Sequence, residues 1–480
     1  MKEYDVICIG TGSGMNVVAA FMEQRPDAKV AIIDKDEPGG ICLTRGCIPS
    51  KLLLYPAELV RTVQSAGRFG LEVELKKVDF EKVMERMRAL IGADIEEVRH
   101  GLSTAPNVDY YPVAAEFVGP YTLKAGNETM RARTLFLCTG SRPLVPQIKG
   151  LDKVPFLTSD TVLKLRKLPP SIGIIGGGYI AAEYGHFFSA MGSRVTIIGR
   201  NIRFLPDEEP EVSELAAAEC ARHMTLYTGT AVTEVAGHFT GKKTISGANL
   251  STGESVSVTV DEVLVAIGRA PNHDLLHPER AGLKVDGNGW LETNEFLETS
   301  QPGIWAFGDA TGKYQFKHVA NFESQLVFHN AFKNKRIPMD YHAVPHAVFT
   351  HPEIASVGLG EKAAVERYGK DQVLLGLARY EETAKGVAIG SIGHFVKLVA
   401  HVENERLLGA HIIGPQASVL IQEVVSLMYT KEAGAAAIRG GMHIHPALGE
   451  VVERAAAGLM PVDMYHHMRE HERSHEHPHQ

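Results

Sequence analysis

The chain has 480 residues, of which 44% are hydrophobic and 22% are charged. This composition is ordinary for soluble globular protein, and the length exceeds that of one ordinary domain. The formal net charge of −8 gives no electrostatic reason to expect a nucleic-acid partner. The five cysteines are too few for a disulfide framework, no apolar run is long enough to span a membrane, and the N-terminus shows no signal peptide. We therefore expect a cytoplasmic protein with no membrane partner.

The first 34 residues contain a strand, a glycine-rich turn, a helix and a second strand. The apolar run Tyr4–Ile9 predicts a buried strand, Met15–Gln24 a helix, and Val30–Ile33 a strand that ends at Asp34. The turn after the first strand contains Gly10, Gly12 and Gly14. Such glycines let backbone N–H groups approach a pyrophosphate at a helix N-terminus, and Asp34 is placed to accept from a ribose hydroxyl. Met15 replaces the third glycine of the G-x-G-x-x-G pattern, so close helix–strand packing would depend on Gly14.

Two cysteines, Cys42 and Cys47, stand five positions apart between a Gly-Gly pair and the sequence Pro49-Ser50-Lys51. On a regular helix that spacing is too wide for a relaxed disulfide, so the backbone between them must bend. We predict an irregular segment from Cys42 to Gly46 and a helix that begins near Cys47, because Pro49 suits a first helical turn. The helix N-terminus would favour the thiolate of Cys47, as a redox pair requires. The glycines, the spacing and Lys51 disfavour the alternative of two buried free thiols.

A second strand–turn–helix–strand unit begins at Ser171. The strand Ile172–Ile175 leads into a glycine-rich turn, a helix extends to about Met191, and Arg194–Ile198 forms the next strand. The turn fits the pattern G-x-G-x-x-A through Gly176, Gly178 and Ala181. Two units of this kind in one chain imply two bound dinucleotides.

The second unit lacks the acidic residue that would bind a ribose hydroxyl. Gly199 and Arg200 follow its last strand, and Arg203 lies close behind. Glycine leaves room for a 2′-phosphate, and guanidinium groups can bind that phosphate bidentately. Arg200 could instead be only a surface arginine. The missing acid disfavours this alternative, because a site for NADH would then have no contact with the ribose. The sequence therefore predicts NADPH as the preferred nicotinamide cofactor, with NADH as the alternative.

From about Tyr341 the composition changes to alternating strands and two late helices. Near the end stand His443, His445 and Glu450. A histidine can move a proton near neutral pH, and a carboxylate bonded to its far nitrogen fixes the tautomer and raises its basicity. We expect the neighbouring His443 to be structural. Residues 464–480 contain six histidines among Glu and Arg, and we predict a disordered terminus there rather than a metal site.

Taken together, these motifs resemble the flavin-dependent pyridine-nucleotide disulfide reductases, the family of dihydrolipoamide dehydrogenase, glutathione reductase, mycothione reductase and mercuric reductase. The family redox motif, GG-x-C-x4-C-x-P-[ST]-K, matches Gly39 to Lys51 without a gap. Residues 135–143 resemble the A-T-G-x-x-P segment of the family, residues 299–310 its second flavin motif, and residues 350–358 the start of its dimerisation domain. The motifs are most similar to those of mycothione reductase.

The resemblance implies a role for each site residue. Cys42 would attack a substrate disulfide, and Cys47 would be the charge-transfer thiol beside the flavin. Lys51 and Glu183 would pair near the flavin ring. His445, with Glu450, would reach the redox site of a partner subunit, so that turnover requires a homodimer. FAD would bind through Gly10, Gly12, Gly14, Asp34, Gly140, Gly308 and Asp309, and the nicotinamide cofactor through Gly176, Gly178, Ala181, Arg200, Arg203 and Gly268.

The implied fold is α/β, with two Rossmann-like dinucleotide-binding domains, for FAD and NAD(P), and a C-terminal α+β dimerisation domain. We predict an FAD domain at residues 1–147 and 272–340, an NAD(P) domain at 148–271, a dimerisation domain at 341–462 and a tail at 463–480.

The implied activity passes electrons from NADPH through FAD and a Cys42–Cys47 disulfide to a small-molecule disulfide resembling mycothione. The reverse direction, oxidation of a dithiol such as dihydrolipoamide, is the other option. A catalytically idle redox sensor and a mercuric reductase are the alternatives. No cysteine follows Cys220, so the C-terminal cysteine pair of mercuric reductase is absent.

Overall fold

Strands and α-helices are both found along the chain in its computed structural model, which describes residues 1–333 and 335–476. The strands are β1 (Lys2–Glu3), β2 (Val6–Ile9), β3 (Val30–Ile33), β4 (Val108–Tyr111), β5 (Ala115–Gly119), β6 (Thr122–Ala125), β7 (Glu128–Arg131), β8 (Thr134–Leu137), β9 (Ser141–Pro143), β10 (Leu157–Thr158), β11 (Ser171–Ile175), β12 (Arg194–Ile198), β13 (Thr225–Tyr227), β14 (Thr230–Gly237), β15 (Lys243–Asn249), β16 (Ser255–Val260), β17 (Glu262–Val265), β18 (Arg269–Pro271), β19 (Ile304–Ala306), β20 (Pro345–Val348), β21 (Ile354–Gly358), β22 (Val373–Arg379), β23 (Phe395–His401), β24 (Leu407–Ile413) and β25 (Met460–Pro461). The α-helices are α1 (Gly14–Gln24), α2 (Gly40–Thr44), α3 (Cys47–Ser65), α4 (Phe80–Thr104), α5 (Tyr179–Met191), α6 (Pro210–Ala221), α7 (His273–Leu276), α8 (Lys317–Phe332), α9 (Glu361–Tyr368), α10 (Ala384–Ala388), α11 (Ala417–Met428), α12 (Ala436–Gly440), α13 (Gly449–Ala457) and α14 (Val462–Glu476).

A parallel sheet of five strands, in the order β19-β8-β2-β3-β4, carries the first glycine-rich turn. Strand β19 comes from far along the chain and completes a sheet that begins with β2, so two separate parts of the chain build it. Strands β2 and β3 are buried along their whole length, as expected for parallel strands covered on both faces. The carboxyl ends of β2, β3 and β8 meet at one edge, where sheets of this kind bind ligands.

Helix α1 approaches this sheet closely because its first residue is a glycine. A Cβ atom on Gly14 would lie 2.7 Å from Sγ of Cys8 and 2.9 Å from Sγ of Cys138. Gly14 thus supplies the close helix–strand packing that the missing third glycine of the pattern would otherwise provide.

A second parallel sheet, in the order β10-β17-β11-β12-β13, repeats the arrangement. Strand β11 is buried throughout, and α5 is buried on nearly all sides. This burial fits the position of α5, which packs between β11 and β12 on one side and α3 on the other. The antiparallel strands β14, β15 and β16 form a separate small sheet beside it.

The C-terminal part contains an antiparallel sheet of six strands, in the order β20-β21-β24-β23-β22-β25. Buried side chains of α11 and α13 form one hydrophobic core with this sheet. Together with the two parallel sheets, this part gives the predicted fold class, which is confirmed. The residue boundaries of the domains stay a prediction. Within the described residues, no helix is both long enough and apolar enough to cross a bilayer.

The predicted disordered terminus is corrected by the structure, which has helix α14 over Val462–Glu476. The first turn of this helix is anchored, because Val462 and Tyr465 are each only 3% exposed and pack with β22. Nε2 of His466 also lies 2.6 Å from a carboxylate oxygen of Glu361. The charge and histidine content of this segment are typical of a solvated terminus. Two apolar residues three positions apart are nevertheless enough to pack the start of the helix against β22. Residues 477–480 lie outside the described part of the chain.

Candidate active site

A cavity of about 830 Å³ opens at the carboxyl edge of the first sheet, within the size range of ligand pockets. Its walls come from the turn after β2, from α2, α3 and α5, and from the N-terminus of α8. The predicted site residues that line it are Gly10, Gly12, Asp34, Cys42, Cys47, Lys51, Gly140, Glu183, Gly308 and Asp309. The predicted site residues outside its lining are Gly14, Gly176, Gly178, Ala181, Arg200, Arg203, Gly268, His445 and Glu450.

The turn after β2 requires glycine at its first position. Gly10 has a φ of +104°, and a Cβ atom there would lie 2.1 Å from the carbonyl oxygen of Cys138. Asp34, at the end of β3, holds this turn. Its Oδ2 accepts hydrogen bonds from the N–H of Thr11 at 2.8 Å and from the Thr11 hydroxyl at 2.6 Å. The carboxylate therefore fixes the turn, and its role toward a ribose hydroxyl stays a prediction.

Cys42 and Cys47 lie on two helices that are joined by a bend. The predicted irregular segment is mostly helical, because Cys42 lies within α2 and the chain bends only just before α3 begins at Cys47. A Cβ atom on Gly40, the first residue of α2, would lie 2.5 Å from Cα of Gly12. This close approach presses α2 against the first glycine-rich turn.

Both cysteines are thiols, and one hydrogen bond joins them. The pKa of Cys42 is lowered to about 7, first by this bond and then, against the effect of partial burial, by the charge of Lys317 and the N–H groups of Cys47 and Ile48. The same bond raises the pKa of Cys47. The N–H of Cys47 at the start of α3 lowers the pKa of this thiol, in the direction predicted for a helix N-terminus, but the bond with Cys42 and burial outweigh that effect. The two thiols share a proton, and Cys42, which has more donors around it, ionises first.

Lys51 and Glu183 form an ion pair at the wall of the cavity. Lys51 lies one helical turn after Cys47 on α3, and its Nζ is 2.9 Å from both carboxylate oxygens of Glu183 on α5. The Glu183 side chain is 7% exposed, and it also accepts a hydrogen bond from the N–H of Phe349 at 3.1 Å. The pair thus ties the cysteine-bearing helix to the second nucleotide unit. Its role beside a flavin stays a prediction.

Asp309 belongs to a buried polar network at the far side of the cavity. The Ser141 hydroxyl donates to its Oδ2 at 2.5 Å, and Nε of Arg269 donates to that hydroxyl at 2.6 Å. Burial raises the pKa of Asp309. Sequence reasoning missed Ser141 and Arg269. Arg269 directly follows Gly268, so its place in a predicted turn was the available signal.

The second glycine-rich turn lies outside the cavity lining. Gly176 has a φ of +136°, and a Cβ atom there would lie 2.1 Å from the carbonyl oxygen of Ala266. The chain also packs tightly at Gly199, where a Cβ atom would be 3.3 Å from Cα of Gly177. Arg200 and Arg203 are exposed. Their role toward a phosphate stays a prediction.

His445 and Glu450 form a hydrogen-bonded pair on the surface of the C-terminal part. Nδ1 of His445 lies 2.8 Å from Oε1 of Glu450, and Oε2 of Glu450 accepts from the N–H of Ala447 at 3.0 Å. The hydrogen bond with His445 lowers the pKa of Glu450. The His445 side chain is 71% exposed and does not line the cavity of its own chain. His443 is only 13% exposed and contacts Glu423, which fits a structural histidine.

A metal site is not evident in the described part of the chain. Among residues 1–333 and 335–476, no three His, Cys, Asp or Glu side chains are grouped to hold an ion.

Lys317, which sequence reasoning also missed, lines the cavity at the N-terminus of α8.

Two family models match the chain. Residues 4–324 match the model described as pyridine nucleotide-disulphide oxidoreductase. Residues 344–456 match the model for the dimerisation domain of the same oxidoreductases.

Curated proteins and a solved structure are similar over nearly the whole chain. Mycothione reductase of Mycobacterium tuberculosis (strain H37Rv) is 36% identical over 96% of this chain and 100% of its own length. Dihydrolipoyl dehydrogenase of Bacillus subtilis (strain 168) is 33% identical over 95% of this chain and 97% of its own. The structure of the HOCl-induced flavoprotein disulfide reductase RclA from Escherichia coli has a TM-score of 0.82 and 26% identity, covering 95% of this chain and 99% of that one.

Proposed function

The chain belongs to the pyridine nucleotide-disulphide oxidoreductase family, and from that premise we propose that it is an NADPH-dependent reductase of a low-molecular-weight disulfide. The family makes it a flavoprotein oxidoreductase that uses FAD and a pyridine nucleotide. The observation that carries the proposal is the hydrogen-bonded thiol pair Cys42 and Cys47 at the wall of the cavity, with the Lys51–Glu183 ion pair one helical turn away.

The residues of the cavity fit FAD. The glycines at positions 10 and 40 let the turn after β2 pack against Cys138 and α2. The backbone of this turn lines the cavity at the N-terminus of α1, where a pyrophosphate is stabilised. Asp34 would bind a ribose hydroxyl, and Asp309 the ribityl chain. When bound, the flavin supplies two-electron transfer between the nicotinamide and the disulfide. The second glycine-rich turn, with Arg200 and Arg203, would hold NADPH.

Two thiol–disulfide exchange steps reduce one substrate disulfide. The Cys42 thiolate attacks one sulfur of the substrate disulfide, which forms a mixed disulfide and releases one substrate thiolate. His445 of the partner subunit protonates that thiolate, and Cys47 then attacks Sγ of Cys42 and releases the second substrate thiol. The enzyme is left with a Cys42–Cys47 disulfide, which two electrons from NADPH reduce again. Exposure of His445 away from its own cavity supports a homodimer as the active form.

For the substrate we propose a mycothione-like disulfide, because the motifs most resemble those of mycothione reductases. Lipoamide, or dithiol oxidation in the reverse direction, is the second candidate, favoured by similar identity to the dihydrolipoyl dehydrogenases.

The experiment is a panel of mycothione, lipoamide, glutathione disulfide, coenzyme A disulfide and cystine, each assayed with NADPH and NADH. Cys42→Ser serves as the matched inactive control. We expect turnover of mycothione or lipoamide that the control lacks. Flavin bleaching by NADPH with no turnover of any disulfide would contradict the proposal and favour a redox sensor, and reduction of Hg²⁺ instead would favour a metal-ion reductase.

A further inference from the structure

Helix α14 carries histidines at a regular spacing. From position 467 a histidine recurs at every fourth residue, at His467, His471 and His475 within the helix and at His479 beyond the described part of the chain. Residues four apart are neighbours on one face of an α-helix. The expectation that this terminus holds no metal site depends on disorder, and the observed helix removes that basis.

The first two imidazole rings of this series lie side by side. The ring centroids of His467 and His471 are 6.2 Å apart, and the ring planes are inclined at 73°. An ion bound to one nitrogen of each ring at about 2.0–2.1 Å would place the two centroids roughly 5 Å apart. A small rotation of either side chain is therefore enough for both rings to bind one ion.

The helix presents this pair on the surface in a backbone that is already ordered. Its first turn is anchored, because Val462 and Tyr465 are buried against β22. His467 and His471 are both exposed, so a hydrated cation can reach them from solvent. Residues 466–476 also contain three glutamates and two arginines, and this charge balance favours a cation.

We propose that His467 and His471 bind a divalent transition-metal ion of the Ni²⁺ or Zn²⁺ type, with water in the remaining coordination positions. Imidazole suits Zn²⁺, Cu²⁺ and Ni²⁺, whereas Mg²⁺ and Ca²⁺ prefer oxygen ligands. Two histidines at i and i+4 on one helix face are the zinc ligands of metalloprotease helices. Among the described residues of α14 none lines the cavity, so the site is separate from the cysteine pair and goes beyond the function proposed above.

The test is titration of the full-length protein with Ni²⁺ in a calorimeter. Every sample carries Cys42→Ser and Cys47→Ser, because thiolates also bind transition metals. In this background we compare His471→Gln with a transposed variant, Met468→His with His471→Met, which keeps the number of histidines but moves one of them off the shared face. His477→Gln is the matched control, since position 477 falls outside the four-residue spacing.

We expect the background protein to bind Ni²⁺, and His471→Gln and the transposed variant to bind it roughly tenfold more weakly or worse. The reason is that the second imidazole no longer acts at the high effective concentration that one helical turn provides. His477→Gln should keep the background affinity, and excess Mg²⁺ should not displace Ni²⁺. In amide hydrogen-exchange mass spectrometry, Ni²⁺ should slow the exchange of residues 467–475 in the background protein and not in the transposed variant.

Absence of Ni²⁺ binding by the background protein would overturn the proposal. Background affinity in the transposed variant, or an equal loss in His477→Gln, would also overturn it, because binding would then follow from histidine content rather than from the helix face. None of these measurements involves turnover, so they decide the metal site whether or not the protein reduces a disulfide.

Discussion

Replacing Arg200 and Arg203 by methionine should remove the preference for NADPH. Both side chains are exposed just beyond the carboxyl end of β12, where the second nucleotide unit has no acidic residue. Arg194 is the matched control, because it is exposed at the opposite end of the same strand. We expect the native chain to favour NADPH, the double variant to lose this preference, and Arg194→Met to keep it.

The size of the effect follows from exposure and from the lack of competing partners. In the described part of the chain neither Arg200 nor Arg203 has a hydrogen bond or ion pair through its side chain, so binding a phosphate breaks no existing contact. A charge-assisted hydrogen bond contributes about 1.5–3 kcal/mol, and solvent screening at an exposed site favours the lower end. About 1.4 kcal/mol corresponds to a factor of ten. We therefore expect the NADPH/NADH ratio of kcat/KM to fall roughly tenfold in the double variant.

Steady-state kinetics with both cofactors measures this ratio, and the values with NADH should change little. The native ratio should also fall as salt rises from about 0.1 to 1 M, because the screening length shrinks from about 10 to 3 Å. Gly199→Glu would add the acidic residue that the second nucleotide unit lacks. A Cβ atom at position 199 would lie 3.3 Å from Cα of Gly177. Gly199→Ala therefore serves as the control for the steric effect of a side chain there. A native preference for NADH, an unchanged ratio in the double variant, or an equal loss in Arg194→Met would refute the reasoning.

Cys42→Ser should abolish disulfide turnover and keep a long-wavelength charge-transfer absorbance, whereas Cys47→Ser should lack that band. The reverse pattern in the absorbance spectra would show that Cys47 is the attacking thiol and Cys42 the charge-transfer thiol. His445→Ala should slow thiol–disulfide exchange roughly 10²–10⁴-fold and leave flavin reduction by NADPH nearly unchanged, and equal slowing of both half-reactions in stopped-flow would disprove its role. Lys397→Met should lower the thermal unfolding midpoint, because the Lys397 side chain is 1% exposed among three carboxylates and removal of one partner of a buried pair costs about 3–5 kcal/mol. Lys362→Met, at an exposed pair, should have little effect, and equal shifts would contradict the buried-pair argument.

The sequence by itself determined the features that depend on neighbouring residues. The turns at Gly10 and Gly176 follow apolar strands, and each requires a positive φ, so a local pattern is enough to locate them. Helix α3 begins at Cys47 as predicted, since Pro49 suits a first turn. The resemblance to the family pattern H-P-x-x-x-E likewise named His445 and Glu450, which lie within hydrogen-bond distance of each other.

The tertiary structure alone decided which charges meet. The pKa of Cys42 is lowered first by the hydrogen bond with Cys47 and then by the charge of Lys317, which lies 275 residues further along the chain than Cys42. Ser141, Arg269 and Asp309 form one network only because distant segments converge at one edge of a sheet. Electrostatic effects depend on distances in space, and sequence spacing does not give those distances for residues on different elements. Helix α14 is likewise held by contacts with β22, a strand that is distant in sequence. The composition of the terminus, which is typical of a solvated tail, does not reveal these contacts.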